Sequence, residues 1–80
     1  MARSPTPQEI QDLVALQLGR RRVGVDDRLL EDLGAESIDL VNIIAAVEER
    51  YEVVIDELEV GDLRTVADLH RCVAHRLSGG

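Results

Sequence analysis

Apolar residues recur at helical three-and-four spacing in three stretches of this chain, and the segments between them lack that period. The first stretch opens on Thr6-Pro7-Gln8-Glu9, with a threonine cap, proline at the first helical position and glutamate placed to close a capping box. Ile10, Leu13, Val14 and Leu18 follow on one face, and Gly19 stops the run ahead of Arg20, Arg21 and Arg22, whose charge suits a helix C-terminus. This predicts a helix over roughly residues 7 to 18. A second helix is predicted from about Ser37 to Tyr51, with Val41, Ile44, Val47 and Tyr51 as its inner stripe and Leu40 and Ile43 widening it. Asp56-Glu57-Leu58-Glu59 reads as a short third helix capped by Asp56 and ending near Gly61. Thr65-Val66-Ala67-Asp68 opens the last helix, which turns Val66, Leu69, Val73 and Leu77 inward and runs out at Ser78-Gly79-Gly80.

Residues 19 to 36 form a long connection for so small a chain. It holds Val23, Val25, Leu29, Leu30 and Leu33, so an ordered loop packed down by its leucines is expected, with room for one helical turn around Leu29 to Leu33. Val53-Val54-Ile55 leans towards β structure, but three residues without a partner run do not make a sheet. The expected fold class is all-α: three long helices, one short helix and a long ordered loop between helices one and two. One domain over residues 1 to 80 is expected, with loose tails at about 1 to 5 and 78 to 80. The initial methionine and short tails read as an independent chain, with an excised module of a larger synthase as the alternative.

Composition narrows the chemistry. The chain is 45% hydrophobic with Tyr51 as its one aromatic residue, so the core is aliphatic and of modest size. Sixteen acidic residues against nine basic ones, all arginine, give a net charge of −7. That sign argues against a nucleic-acid partner, which needs a basic footprint, and suits docking onto basic patches of other proteins. Cys72 has no partner for an internal disulfide, and two histidines beside one cysteine give no metal site. No secretory h-region or apolar run of spanning length is present, so a cytoplasmic chain without membrane insertion is expected. His70, Cys72 and His75 lie on the last helix at spacings that complete no catalytic arrangement, and no catalytic residue is expected.

The most specific signal is Asp32-Leu33-Gly34-Ala35-Glu36-Ser37-Ile38-Asp39-Leu40, where a glycine-containing loop runs into the second helix and leaves a serine hydroxyl at the junction. Unpaired N–H groups at a helix start carry partial positive charge and favour a phosphate ester. Serine there also serves as a plain N-cap, worth about 1 kcal/mol. Taken with the acidic helix that follows, including Glu48-Glu49, and with the spacing of the later helices over residues 6 to 77, the stretch resembles the acyl carrier protein family, also called phosphopantetheine-binding carrier domains.

The resemblance implies an acyl-carrier-like bundle with 4′-phosphopantetheine on Ser37, transferred from coenzyme A by a separate phosphopantetheinyl transferase. It implies a carrier of acyl thioesters, a tethered substrate of other enzymes such as a ketosynthase or acyltransferase of polyketide, fatty-acid or related specialised-metabolite biosynthesis. A monomer is expected. No histidine or lysine flanks Ser37 to activate it, so activation falls to the transferase and its metal. The family's docking face maps onto Glu36, Ile38, Asp39, Val41, Asn42, Ala45, Glu48 and Glu49. Glu36 stands where the family usually has aspartate, Asn42 where an acid is common, and Leu40 where a smaller polar residue is common, which would reshape a cavity between helices two and four. These departures, with the arginine-only basic residues, tilt the expected pathway towards specialised metabolism over housekeeping fatty-acid synthesis. The competing reading is a carrier-like protein that is never modified and acts as a structural or regulatory subunit through the same acidic face. A nucleic-acid mimic is a third reading, and it leaves the serine stretch unexplained.

Overall fold

A computed structural model describes residues 4 to 79. The chain order is α1 (Pro7–Leu18), α2 (Ser37–Tyr51), α3 (Glu57–Val60) and α4 (Val66–Leu77), with no strand among the described residues. The capping signals act as read. Thr6 Oγ1 accepts from the Glu9 N–H at 3.1 Å to open α1, and Thr65 Oγ1 accepts from the Asp68 N–H at 3.1 Å to open α4. Gly19 ends α1 at φ +68°, a left-handed conformation that glycine adopts without strain.

The three long helices close around Ile10, Val14, Ile43, Val47, Val66, Leu69 and Val73, each fully buried. One expectation about the α2 stripe fails here. Val41 is 60% exposed, whereas Ile43 and Val47 are at 0%. At about 100° per residue Val41 lies roughly opposite Ile43, so a helix that buries Ile43 and Val47 must turn Val41 outward. The real seam is Leu40, Ile43, Ile44 and Val47, with Tyr51 half-buried at its end and its hydroxyl 3.3 Å from Glu9 Oε2.

The 19–36 connection is a structural layer. Val23, Leu29, Leu33 and Ala35 are buried, although Leu30 points out at 51% exposure. One hydrogen-bonded turn forms where the leucine spacing suggested it: the N–H groups of Asp32 and Leu33 both donate to the Arg28 carbonyl, at 2.9 and 3.0 Å. The loop also pairs with the entry to α4. Leu29 N–H donates to Arg64 O at 2.8 Å, Val66 N–H to Asp27 O at 3.2 Å and Ala67 N–H to Val25 O at 2.8 Å. Those bonds satisfy backbone groups that a buried loop would otherwise strand.

Of the expected tails, residues 1 to 3 and 80 lie outside the described residues. Pro5 is buried, and its carbonyl sits 2.9 Å from His70 Nε2. Ser78 closes α4, its N–H donating to Ala74 O at 3.1 Å.

Candidate functional site

The site is built where the loop hands over to α2. Gly34 takes φ +68°, a turn that a side-chain-bearing residue adopts only at a cost. On either side of it the backbone is pinned: the Arg20 guanidinium donates to Leu33 O at 3.1 Å, and Ala35 N–H donates to Leu29 O at 2.9 Å. Asp32, first residue of the serine stretch, accepts from the Arg28 N–H at 2.8 Å and from its guanidinium at 3.2 Å. Those bonds hold the Asp32 carboxyl below its ordinary value, the side-chain bond contributing most. Asp32 therefore serves the loop.

The helix cap is Glu36, and Ser37 is the first helical residue. This displaces the plain-cap reading of the serine. Ser37 is exposed, and among the described residues its hydroxyl engages no hydrogen bond. Capping falls to the third helical position instead, where Asp39 turns its carboxylate back to accept the Glu36 N–H at 2.9 Å. A pinned loop thus presents a free hydroxyl on the first turn of α2, where backbone N–H groups lack intrahelical partners.

Ser37 also stands at the mouth of an apolar groove of about 480 Å³ between α2 and α3. Leu40, Val41, Ile44 and Ala45 form its α2 side, and Ile55 and Val60 form the opposite side. The cavity that Leu40 was expected to reshape therefore faces α3, because the space between α2 and α4 is filled by Ile43, Val47, Leu69 and Val73. These residues suit phosphopantetheine: an unbonded hydroxyl, first-turn N–H groups beside it, and an apolar trough that a flexible acyl chain can enter.

Around that mouth, Ile38 at 61% and Val41 at 60% are exposed, as are Glu36, Asn42, Ala45 and Glu49. Asp39 is half-buried, and its carboxylate is engaged by the Glu36 N–H. Glu48 is half-buried too, its Oε2 accepting the Ile55 N–H at 2.9 Å, so one of its oxygens holds the α2–α3 connection. Sequence reading missed Leu58, 84% exposed on α3, together with Ile55, Glu57 and Val60 along the groove. A leucine flanked by Glu57 and Glu59 in a predicted helix was the available signal.

Away from this face, burial pushes the Cys72 thiol above its ordinary value, which suppresses the reactive thiolate. Among the described residues no group of histidine, cysteine and carboxylate side chains is placed to hold a metal ion. Among the described residues no helix is long and apolar enough to cross a membrane.

Comparison with known proteins bears on this geometry. A family model described as "Phosphopantetheine attachment site" matches residues 8–73. An acyl carrier protein of Campylobacter curvus is 36% identical over 63 residues, covering 76% of this chain and 82% of its own. The actinorhodin holo acyl carrier protein of Streptomyces coelicolor superposes with a TM-score of 0.80 at 26% identity, over 100% of this chain and 99% of that one. A chain in the structure of the ishigamide ketosynthase/chain length factor matches at a TM-score of 0.73 and 25% identity, covering 90% of this chain and 93% of its own.

Proposed function

Because this chain belongs to the acyl carrier protein family, whose members bear phosphopantetheine and are carriers rather than enzymes, we propose that Ser37 Oγ is its point of attachment. The observation that carries this reading is the free, exposed hydroxyl on the first turn of α2, held by a pinned loop at the mouth of an apolar groove. When bound, phosphopantetheine supplies a terminal thiol that holds acyl groups as thioesters. Ser37 Oγ would displace the adenosine bisphosphate of coenzyme A at the phosphorus that carries pantetheine, and first-turn N–H groups would favour the negative charge of the ester. Leu40, Val41, Ile44 and Val60 offer an acyl chain a surface away from water. Among the described residues no side chain accepts a hydrogen bond from the Ser37 hydroxyl, so deprotonation belongs to a phosphopantetheinyl transferase.

The partners follow from the same face. Ile38, Val41 and Leu58 are apolar points among Glu36, Asp39, Glu49 and Glu57, and this pattern suits the basic rim of enzymes that load and process acyl groups. A ketosynthase or acyltransferase is the partner class, and the chain acts as a cytoplasmic monomer. Polyketide assembly is the favoured pathway, supported by full-length likeness to the actinorhodin carrier and by the ishigamide ketosynthase/chain length factor match. No observation favours an unmodified interaction subunit.

The test is the intact mass after incubation with coenzyme A, magnesium and a broad-specificity transferase. A gain of one phosphopantetheine, absent in Ser37→Ala, is the expected result. A folded protein that gains no mass with several transferases, or that gains it in Ser37→Ala, would overturn the assignment.

A further inference from the structure

The α3 side of the groove is held by a hydrogen bond at its approach and an ion pair to α4 at its far end. α3 is four residues long and buries none of them fully. Val60 packs half-buried against the core, and two carboxylates add to that hold. At its approach, Glu48 Oε2 accepts the Ile55 N–H at 2.9 Å. At its far end the Glu59 carboxylate pairs with the Arg76 guanidinium of α4, and Cys72 Sγ lies 3.6 Å from the second Glu59 oxygen. The Glu59 and Arg76 side chains are only 29% and 33% exposed, so solvent screens the pair less than an open surface pair. Arg76 Nε is buried without a hydrogen-bond partner, so this guanidinium is partly desolvated and depends on Glu59 for compensation. Val60, next to Glu59, lines the groove that begins at Ser37.

We propose that Glu59 and Arg76 are specificity-determining positioning residues: by tying α3 to α4 they fix the far wall of the groove and so decide how well a medium-length aliphatic chain is sheltered. This rests on the reading of Ser37 as the attachment point. With the pair intact, Val60 and Ile55 stay opposite Leu40 and Ile44, and the trough holds its apolar enclosure. With it cut, α3 keeps only the half-buried Val60 against the core, and the enclosure loosens. A chain too short to reach past Leu40 gains nothing from the wall and loses nothing with it.

The experiment loads Ser37 with butyryl- or octanoyl-phosphopantetheine from the corresponding coenzyme A thioesters, verifies each by mass, and follows thioester cleavage by hydroxylamine. In the unaltered protein the octanoyl thioester is expected to be cleaved more slowly than the butyryl one. Glu59→Gln and Arg76→Gln should each raise the octanoyl rate by about threefold or more with the butyryl rate unchanged. The exchanged pair, Glu59→Arg with Arg76→Glu, should restore the difference. Equal rates for the two chains in the unaltered protein, or an octanoyl-to-butyryl ratio that neither single variant moves, overturns the proposal. Failure of Ser37 to load is read separately, in the mass. Amide exchange over residues 56 to 62 then decides on unloaded protein, where an exchange rate unaltered by Glu59→Gln overturns the α3–α4 tie.

Discussion

At Ser37 the decisive property is what the hydroxyl does not do. Were it an N-cap, replacing it with alanine would cost about 1 kcal/mol. Glu36 holds the cap position and Asp39 supplies the reciprocal bond, so Ser37→Ala removes no hydrogen bond of the described fold. Its unfolding free energy should therefore stay within about 0.5 kcal/mol of the parent while phosphopantetheine uptake is abolished. Denaturant unfolding beside the mass assay checks this, and a loss near the capping value would show that the hydroxyl works for the helix. Ser37 stands out in the sequence because the stretch from Asp32 to Leu40 is specific in its residues and spacing. The far side of its groove was not. Ile55 and Val60 reach it only through the path of the α2–α3 connection, and no periodic pattern in the chain encodes that path. Val41 was misplaced among core residues for a related reason: α2 carries apolar residues around much of its circumference, so spacing alone admits two stripes, and packing against α1 and α4 selects the one through Ile43 and Val47.

Among the elements, the helices were readable to their ends because their caps are local chemistry, as at Thr6, Gly19 and Thr65. The 19–36 segment was readable as ordered and as holding one turn, but not in its partners. Its pairing with Arg64, Val66 and Ala67 is set by backbone bonds that leave no trace in side-chain pattern. Leu29 measures how far that segment belongs to the core. It is 1% exposed, so Leu29→Ala should cost about 2–5 kcal/mol, whereas Leu30→Ala, at 51% exposure, should cost under about 1 kcal/mol. Chemical denaturation of the two variants checks the contrast, and equal costs would mean that the loop is not a packed layer. The junction of loop and α4 also carries a pH dependence. Burial pushes the Asp68 carboxyl up, but backbone N–H bonds from Thr65 and Arg64, with the Arg71 charge beside it, outweigh burial and hold it below its ordinary 3.8. A carboxylate whose folded value lies under its unfolded one stabilises the fold above the unfolded value, and that contribution is lost as pH falls through the folded value. Thermal midpoints should accordingly drop as the pH is lowered through and below about 4, and Asp68→Asn should drop less steeply there while starting lower at neutral pH. A variant whose acid limb matches the parent would place the effect on other carboxylates.

Over the whole molecule the charge is lopsided. Residues 36 to 62 hold nine of the sixteen carboxylates and only Arg50 among the nine arginines, so the rest of the chain is close to balanced and this segment supplies the field. Ion pairing sharpens the asymmetry. Arg28 is paired with Glu31 and Asp32, and Arg71 with Asp68, all outside the segment, while Arg76 reaches in to Glu59. The exposed acids Glu36, Glu49 and Glu57 are left facing solvent around Ile38, Val41 and Leu58. A protein so arranged approaches a basic partner with Ser37 leading, because the same segment contains both Ser37 and the excess charge. Raising ionic strength from about 0.1 M to about 1 M shortens the screening length from about 10 Å to about 3 Å. Association with a transferase or ketosynthase should then slow by about tenfold or more, with dissociation changing much less. Direction is tested by single neutralisations: Glu57→Gln should slow association at low salt, and Glu31→Gln, already paired with Arg28 on the balanced part of the chain, should leave it nearly unchanged. Stopped-flow or surface-based kinetics across a salt series reads both. If the two variants slowed association equally, the net charge alone would account for the salt effect, and the acidic face around Ser37 would lose its role in orienting the encounter.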